Sequence, residues 1–377
     1  MTMRLKDDLL KRERGGNLRQ LCVSQNLIDF SSNDYLGLAR SSKLTDAVMQ
    51  EWSQLEADIN GLGSTGSRLL TGNSHYAQDL EDKIAAFHGF EAGLLFNCGY
   101  MANLGLLSTI AGKEDCIFFD SRVHASTDDG IRLSRAKAFP FKHNDPAHLE
   151  NRLKNCTVKG DRFICIESIY STDGSMAPLE KICRLAQEYE AHLIVDEAHA
   201  VGVWGDQGRG LVAEKNLCSS VFAQVTTFGK AVGTHGAIVL GSHTLKQALI
   251  NFATSYIYTT ALPFQVLATI KCSYDLFPKM DHERHHLQKL IQIFRKSFPG
   301  ASLTHIQSIA IEGNEAVKQV AKAIVSQGID VRPLMSPTVQ RGHEILRICL
   351  HAFNTEAELE ELVNSLYAEE NKYAQHF

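Results

Sequence analysis

Two apolar runs in this sequence each end abruptly in a residue that can do chemistry. Leu193-Ile194-Val195 stops at Asp196, with Glu197, Ala198 and His199 in the turn beyond. Further on, Ala223-Gln224-Val225-Thr226-Thr227 leads through Phe228 and Gly229 to Lys230. Read as neighbouring strands, the two runs deliver a carboxylate and an amine to one sheet edge. Pyridoxal phosphate requires such a pair. A carboxylate against the pyridine nitrogen keeps the ring protonated and able to accept electrons, while a lysine holds the cofactor as a Schiff base and moves protons. The plainer alternatives are that Asp196 caps the following turn and that Lys230 is a surface lysine, because loops beyond strands commonly carry both.

A third stretch bears on that choice. Asn97-Cys98-Gly99-Tyr100-Met101-Ala102-Asn103 follows an apolar run and opens a helical pattern. Gly99 permits a tight turn, and the first backbone N–H groups of a helix have no intrahelical partner, so the turn is suited to an anion such as the cofactor phosphate. Alone this is unspecific, since many strand-to-helix turns contain glycine. His124, in Asp120-Ser121-Arg122-Val123-His124-Ala125-Ser126, also stands just past an apolar run and could stack on the pyridine face. The plainer reading of a lone histidine is a satisfied structural residue.

The elements that must position these groups follow from periodicity. Candidate strands are Gly93 to Phe96, Cys116 to Phe119, Ala136 to Phe141, Arg162 to Glu167, His192 to Asp196, Ala223 to Thr227 and Ala237 to Leu240. Several are apolar on both faces, as expected of strands covered by helices on each side. Helical stretches such as Leu179 to Tyr189 supply the crossovers, which predicts a mostly parallel sheet. Ligands of such sheets bind beyond the carboxyl ends of the strands. After about residue 280 the pattern changes to helices around two short β-like runs, Ser308 to Glu312 and Leu346 to Leu350, with a proline-punctuated loop over 332–338. The division expected is an N-terminal arm over 1–45, a cofactor-binding major domain over 46–280 and a small α+β domain over 281–377.

Bulk composition removes several other classes. The 377 residues are 44% hydrophobic and 21% charged, with a net charge of −5 and no long block of one sign. A nucleic-acid binder would show a basic stripe or tail. The start, Met1 to Leu10, reads as a charged amphipathic helix rather than a secretory signal, and no apolar run approaches the ~20 residues that cross a bilayer. The nine cysteines are scattered singly, without a C-x-x-C pair, as expected of free thiols in a reducing cytoplasm rather than disulfides or zinc ligands. No metal site is expected. Asp196-Glu197-Ala198-His199 spells a helicase box, but the phosphate loop that an NTPase needs is missing around Gly229-Lys230. Gly61-Leu62-Gly63-Ser64-Thr65-Gly66 matches a dinucleotide fingerprint, yet it follows a helical stretch where that fold demands a strand.

Taken in order, these segments resemble the α-oxoamine synthase family of fold-type-I pyridoxal-phosphate enzymes. The resemblance runs from about Phe30 into the C-terminal region. It rests on Ser31-Ser32-Asn33-Asp34-Tyr35-Leu36-Gly37, Gly61 to Arg68, Ser171-Thr172-Asp173-Gly174-Ser175, Asp196 to His199, Gly208-Arg209-Gly210, Thr227 to Lys230, Ile257-Tyr258-Thr259-Thr260 and Leu346-Arg347-Ile348. Any one segment is unspecific; the ordered set is not. The resemblance implies an aspartate aminotransferase-like transferase fold, with a mostly parallel sheet covered by helices and a smaller C-terminal α+β domain. It also implies roles. Asp196 would pair with the ring nitrogen, His199 with the phenolic oxygen, and His124 would stack on the ring. Ser171 and Thr227 would hydrogen-bond the cofactor, with the Gly99–Tyr100 backbone at its phosphate. Thr260 would reach that phosphate from the neighbouring subunit, which implies a homodimer with shared active sites. Arg347, assisted by Asn33, would clamp an amino-acid carboxylate, and Arg19 and Thr338 would line the acyl side.

The activity implied is decarboxylative condensation of a small amino acid with an acyl thioester, with Lys230 as the base. The likeness is greatest to the branch that joins L-alanine to a pimeloyl thioester, carried by CoA or a carrier protein, on the way to biotin. Two features depart from that branch. The loop from Arg332 to Pro337 is longer than its usual form, so acyl-side contacts are expected to differ, and Ser64 and Thr65 stand where glycine is frequent, which bears on chain-length preference rather than on the chemistry. Two alternatives stay open: glycine with acetyl-CoA or serine with a long acyl thioester on the same fold, and a silent partner subunit that keeps the fold for interaction only. A silent subunit should have lost the Schiff-base lysine, and Lys230 is present.

Overall fold

The structure, a computed structural model, describes residues 3–23, 26–54 and 63–372. Gly61 and Leu62 of the glycine-rich segment lie outside the described residues. Contacts divide the chain into two compact units, one of Leu36–Tyr170 with Met176–Arg284, the other of Met1–Tyr35 with Ser171–Ser175 and His285–Phe377.

The first of these units is built on a seven-stranded sheet. Its strands are β1 (Ala92–Phe96), β2 (Cys116–Asp120), β3 (Lys137–Phe141), β4 (Arg162–Glu167), β5 (Ala191–Asp196), β6 (Ala223–Thr227) and β7 (Ala237–Gly241). The spatial order is β1-β7-β6-β5-β4-β2-β3. β7 runs antiparallel to both β6 and β1, while every other pairing is parallel. All seven expected strands are present, each displaced by a residue at most at either end. The register aligns the carboxyl ends of the other strands with the amino end of β7, with Glu167 opposite Asp196 and Thr227 opposite Ala237, which in turn faces Phe96. The turns after β1, β2, β5 and β6 therefore open on one edge.

Continuous burial along β1, β4 and β7 explains their unbroken apolar runs. Leu94, Phe96, Ile117, Phe163, Ile194, Val225 and Val239 on the sheet join Leu106, Leu107 and Ile131 from the helices Gly99–Ile110 and Ala125–Ser134 in one buried cluster. Each large aliphatic side chain removed from water there contributes roughly 1.5–3 kcal/mol. That packing fixes the two helix N-termini against the sheet edge. β6 and β7 are joined directly by residues 228–236, closed by Phe228 N–H donating to Gly236 O at 2.9 Å and Gly233 N–H to Lys230 O at 2.8 Å.

The second unit holds a three-stranded antiparallel sheet in which Ile345–Cys349 lies between Arg332–Leu334 and Ile306–Ala310. The stretch expected as a loop over 332–338 thus begins as an edge strand, a position that tolerates Pro333 because its missing N–H is not needed. Ile28–Asp29 pairs in parallel with Ile329–Asp330. The helices Asn314–Val325 and Glu356–Lys372 pack on each other, and Met3–Arg14 forms the expected N-terminal helix. All nine cysteines are free thiols. Among the described residues, no helix is long and apolar enough to cross a membrane.

Candidate active site

At the carboxyl end of β5, Asp196 uses both carboxylate oxygens. Oδ2 accepts from Asn103 Nδ2 at 2.8 Å, and Oδ1 accepts from the Ala198 backbone N–H at 2.9 Å. Asn103 also donates to Ser126 Oγ at 3.0 Å, and Ser126 Oγ lies 2.8 Å from His124 Nδ1. A continuous chain therefore runs Asp196–Asn103–Ser126–His124. Asn103 and Ser126 are buried, and both were passed over as site residues by sequence reasoning. The signal for Asn103 was its place one turn beyond Gly99, a lone amide on a mostly apolar helix.

His124 caps the helix Ala125–Ser134, with Nδ1 accepting the Ser126 N–H at 3.2 Å. An accepting Nδ1 carries no proton. Consistently, desolvation lowers the His124 pKa; the Asp196 carboxylate opposes that shift, and Lys230 reinforces it. The residue as a whole is exposed, and a neutral imidazole is what stacking on a heterocycle needs. Tyr100 points its ring edge towards His124, with centroids 6.4 Å apart, and its hydroxyl donates to Asp129.

Lys230 Nζ lies 2.7 Å from His199 Nε2. His199 is buried, so two functional groups placed by different turns converge within one hydrogen bond. Thr227 stands beside the Gly99 turn: a Cβ on Gly99 would lie 3.4 Å from Thr227 Cβ. The Thr227 hydroxyl donates to Gly236 O at 3.2 Å. The helix Gly99–Ile110 has no side-chain cap, whereas Ser41 and Ser74 cap the helices after them by accepting from Leu44 and Ala77. Uncapped first-turn N–H groups next to a threonine are suited to a phosphate. An acceptor carboxylate, an amine, a neutral imidazole and an anion cradle at one sheet edge make a donor set that fits pyridoxal phosphate.

Glu197, adjacent to Asp196, faces elsewhere. It is fully buried, accepts the Val212 N–H at 3.2 Å, and burial pushes its pKa up to about 7. The folded state therefore holds this proton more tightly than the unfolded chain. Its contribution is fully present below about pH 4.5 and fades as pH rises through about 7. The difference amounts to about 3 kcal/mol at 1.36 kcal/mol per unit. The parent protein should lose Tm between pH 5 and pH 8, and Glu197→Gln, which keeps the acceptor oxygen, should flatten that fall. Equal slopes for the two proteins in a pH series of thermal melts would refute this assignment.

Within the second unit, Arg347 on the central strand donates from Nε to Ser171 O at 2.7 Å and from Nη2 to Asn33 Oδ1 at 3.1 Å. Asn33 Oδ1 also accepts the Tyr35 hydroxyl at 2.9 Å, and Tyr35 is fully buried. These contacts hold the guanidinium plane while using only part of its five-donor fork. Arg19 Nη2 donates to Thr338 Oγ1 at 3.2 Å, bringing the two expected acyl-side residues together. Thr260 belongs to the other unit and is exposed, its carbonyl accepting from Asn97 Nδ2 at 2.9 Å.

The chain matches the family model described as aminotransferase class I and II over residues 25–366. A protein of Emericella nidulans named 8-amino-7-oxononanoate synthase is 39% identical, over 96% of this chain and 94% of its own length. One of the same name from Marinobacter nauticus is also 39% identical, over 91% of this chain and 87% of its own. Among solved structures, serine palmitoyltransferase of Sphingomonas wittichii superposes with a TM-score of 0.91 at 26% identity, covering 100% of both chains. The 8-amino-7-oxononanoate synthase of Francisella tularensis gives 0.78 at 30% identity, over 93% of this chain and 98% of the other.

Proposed function

From the premise that the chain belongs to the α-oxoamine synthases within the class I and II aminotransferase family, we propose that it joins L-alanine to a pimeloyl thioester. The products are 8-amino-7-oxononanoate, CO2 and the released thiol, a step towards biotin. The chain is a pyridoxal-phosphate-dependent acyltransferase. Bound pyridoxal phosphate supplies an electron sink for negative charge developing at the amino-acid Cα.

The residues divide the remaining work. Asp196, fixed by Asn103 and the Ala198 N–H, holds the ring nitrogen in its protonated form. His124 stacks as a neutral imidazole. His199 donates to the phenolic oxygen, Ser171 and Thr227 add hydrogen bonds, and the Gly99 and Tyr100 N–H groups hold the phosphate. Arg347, aligned by Ser171 O and Asn33, takes the alanine carboxylate as a bidentate pair. Lys230 Nζ removes the Cα proton and later returns one. We take the assembly to be a cytoplasmic homodimer in which Thr260 of each copy completes the phosphate site of the other.

The observation that favours a pimeloyl chain is the Arg19–Thr338 pair. A guanidinium held beside a hydroxyl can bind the far carboxylate of a diacid thioester, a group that acetyl and palmitoyl chains lack. The relatives named for that activity are also more similar in sequence than the serine palmitoyltransferase structures, at 39% against 26%. The test is a matrix of alanine, glycine and serine against acetyl, pimeloyl and palmitoyl thioesters, with products identified by mass. Alanine with pimeloyl thioester should exceed every other pair by at least about tenfold in kcat/KM, a difference of about 1.4 kcal/mol. A greater kcat/KM for glycine with acetyl-CoA, or for serine with the palmitoyl thioester, would overturn the reading.

A further inference from the structure

Glu81 is 1% exposed and is surrounded by cations. Its Oε1 accepts from Arg68 Nη1 at 2.8 Å, and its Oε2 lies 2.9 Å from Lys246 Nζ. The same Oε1 accepts the backbone N–H of Leu95 in β1 at 3.0 Å. Arg68 extends the network by donating from Nε to Asn73 Oδ1 at 2.7 Å. The fork of Arg68 thus ties both ends of the turn over 66–73 to one buried carboxylate. Breaking a buried pair leaves a charge without compensation, so this geometry resists displacement.

The turn so fixed packs against the segment that carries Thr260. Gly66 O accepts the Ala261 N–H at 3.0 Å. A Cβ on Gly72 would lie 2.3 Å from Gly66 O and 2.6 Å from Ala261 Cβ, so the approach has no spare room. Asn97 supplies a second tie by donating to Thr260 O. Asn97 follows β1 directly, and β1 is the strand whose Leu95 N–H binds Glu81. One carboxylate therefore sets both the strand leading into the chain's own Gly99 turn and the loop that holds Thr260.

We propose that Arg68, Glu81 and Asn97 are positioning residues that hold the Thr260–Ala261 turn in the conformation with which each subunit completes the cofactor-phosphate site of its twin. The proposal rests on the reading of Thr260 as a phosphate contact across a homodimer. Lys246, on the helix His243–Phe252, is the second cation on Glu81 and lies outside the turn over 66–73.

The test measures the dissociation constant of pyridoxal phosphate for the dimer by absorbance titration, alongside oligomeric state, Tm and kcat at saturating cofactor. Thr260→Ala, Asn97→Ala and Arg68→Lys should each raise that constant about tenfold, the scale of one charge-assisted hydrogen bond. In Asn97→Ala and Arg68→Lys, whose side chains touch neither cofactor nor substrate, kcat at saturating cofactor should stay within about twofold. Asn97→Ala in the Thr260→Ala background should add little, because both changes act on one contact. Asn97 is not part of the buried charge cluster, so its variant keeps the test open if Arg68→Lys lowers Tm. An unchanged constant in Thr260→Ala would sink the phosphate reading and the proposal with it. A raised constant in Thr260→Ala with none in Asn97→Ala and Arg68→Lys would overturn the positioning proposal alone.

Discussion

Lys230→Ala should fold, dimerise and melt like the parent protein, yet show none of the visible absorbance of lysine-bound cofactor. Its kcat should fall about ten-thousandfold. A positioned base contributes up to about 10⁴ by itself, and the lost covalent tether adds to that. The expectation follows from the Lys230–His199 contact, which places the amine among groups that fit a cofactor rather than in solvent. Ammonia or methylamine should restore part of the rate, because a small amine can occupy the space of the missing one. A Lys230→Ala protein with an unchanged visible spectrum would remove Lys230 from the chemistry.

Asp196→Asn tests the opposite end of the ring. Both oxygens of Asp196 accept hydrogen bonds, from Asn103 and from the Ala198 N–H. An amide can offer only one acceptor oxygen to these two donors, and it carries no charge to hold a protonated ring nitrogen. The rate should fall about a thousandfold, in line with the few kcal/mol lost when one partner of a partly buried charge pair is removed. Cofactor affinity should fall as well, while the lysine-bound absorbance at saturating cofactor remains. That split separates the two variants, since Lys230→Ala loses the band and Asp196→Asn keeps it. Activity within a few-fold of the parent would contradict the assignment.

What could be read in the sequence was the set of strand ends. Long runs buried on both faces announce themselves, and a polar residue closing such a run stands out, as at Asp196 and before Lys230. The less visible parts depend on distant pairing. Arg332–Leu334 holds a proline and three residues only, too few for an alternating pattern, and becomes a strand because Ile345–Leu346–Arg347 lies beside it. Ile28–Asp29 is shorter still and is defined by its pairing with Ile329–Asp330. The grouping of Met1–Tyr35 with residues after His285 arises from the same long-range contacts. Asn103 and Ser126 escaped notice for a different reason. Neither residue type is chemically distinctive, and their part in the site exists only where the helices Gly99–Ile110 and Ala125–Ser134 pack side by side.

The hairpin over 228–236 bears on stereochemistry. Lys230 stands on a loop pinned at both ends by antiparallel neighbours and closed by its own carbonyl accepting the Gly233 N–H. These ties restrain its main chain, so the amine moves chiefly through its four methylene torsions. An amine anchored in this way would address a flat molecule from one side, and a hydrogen it took away would return to the side it left. With Lys230 as the proposed base, the handedness of the amine-bearing carbon in the product would be set by the backbone of a β-turn.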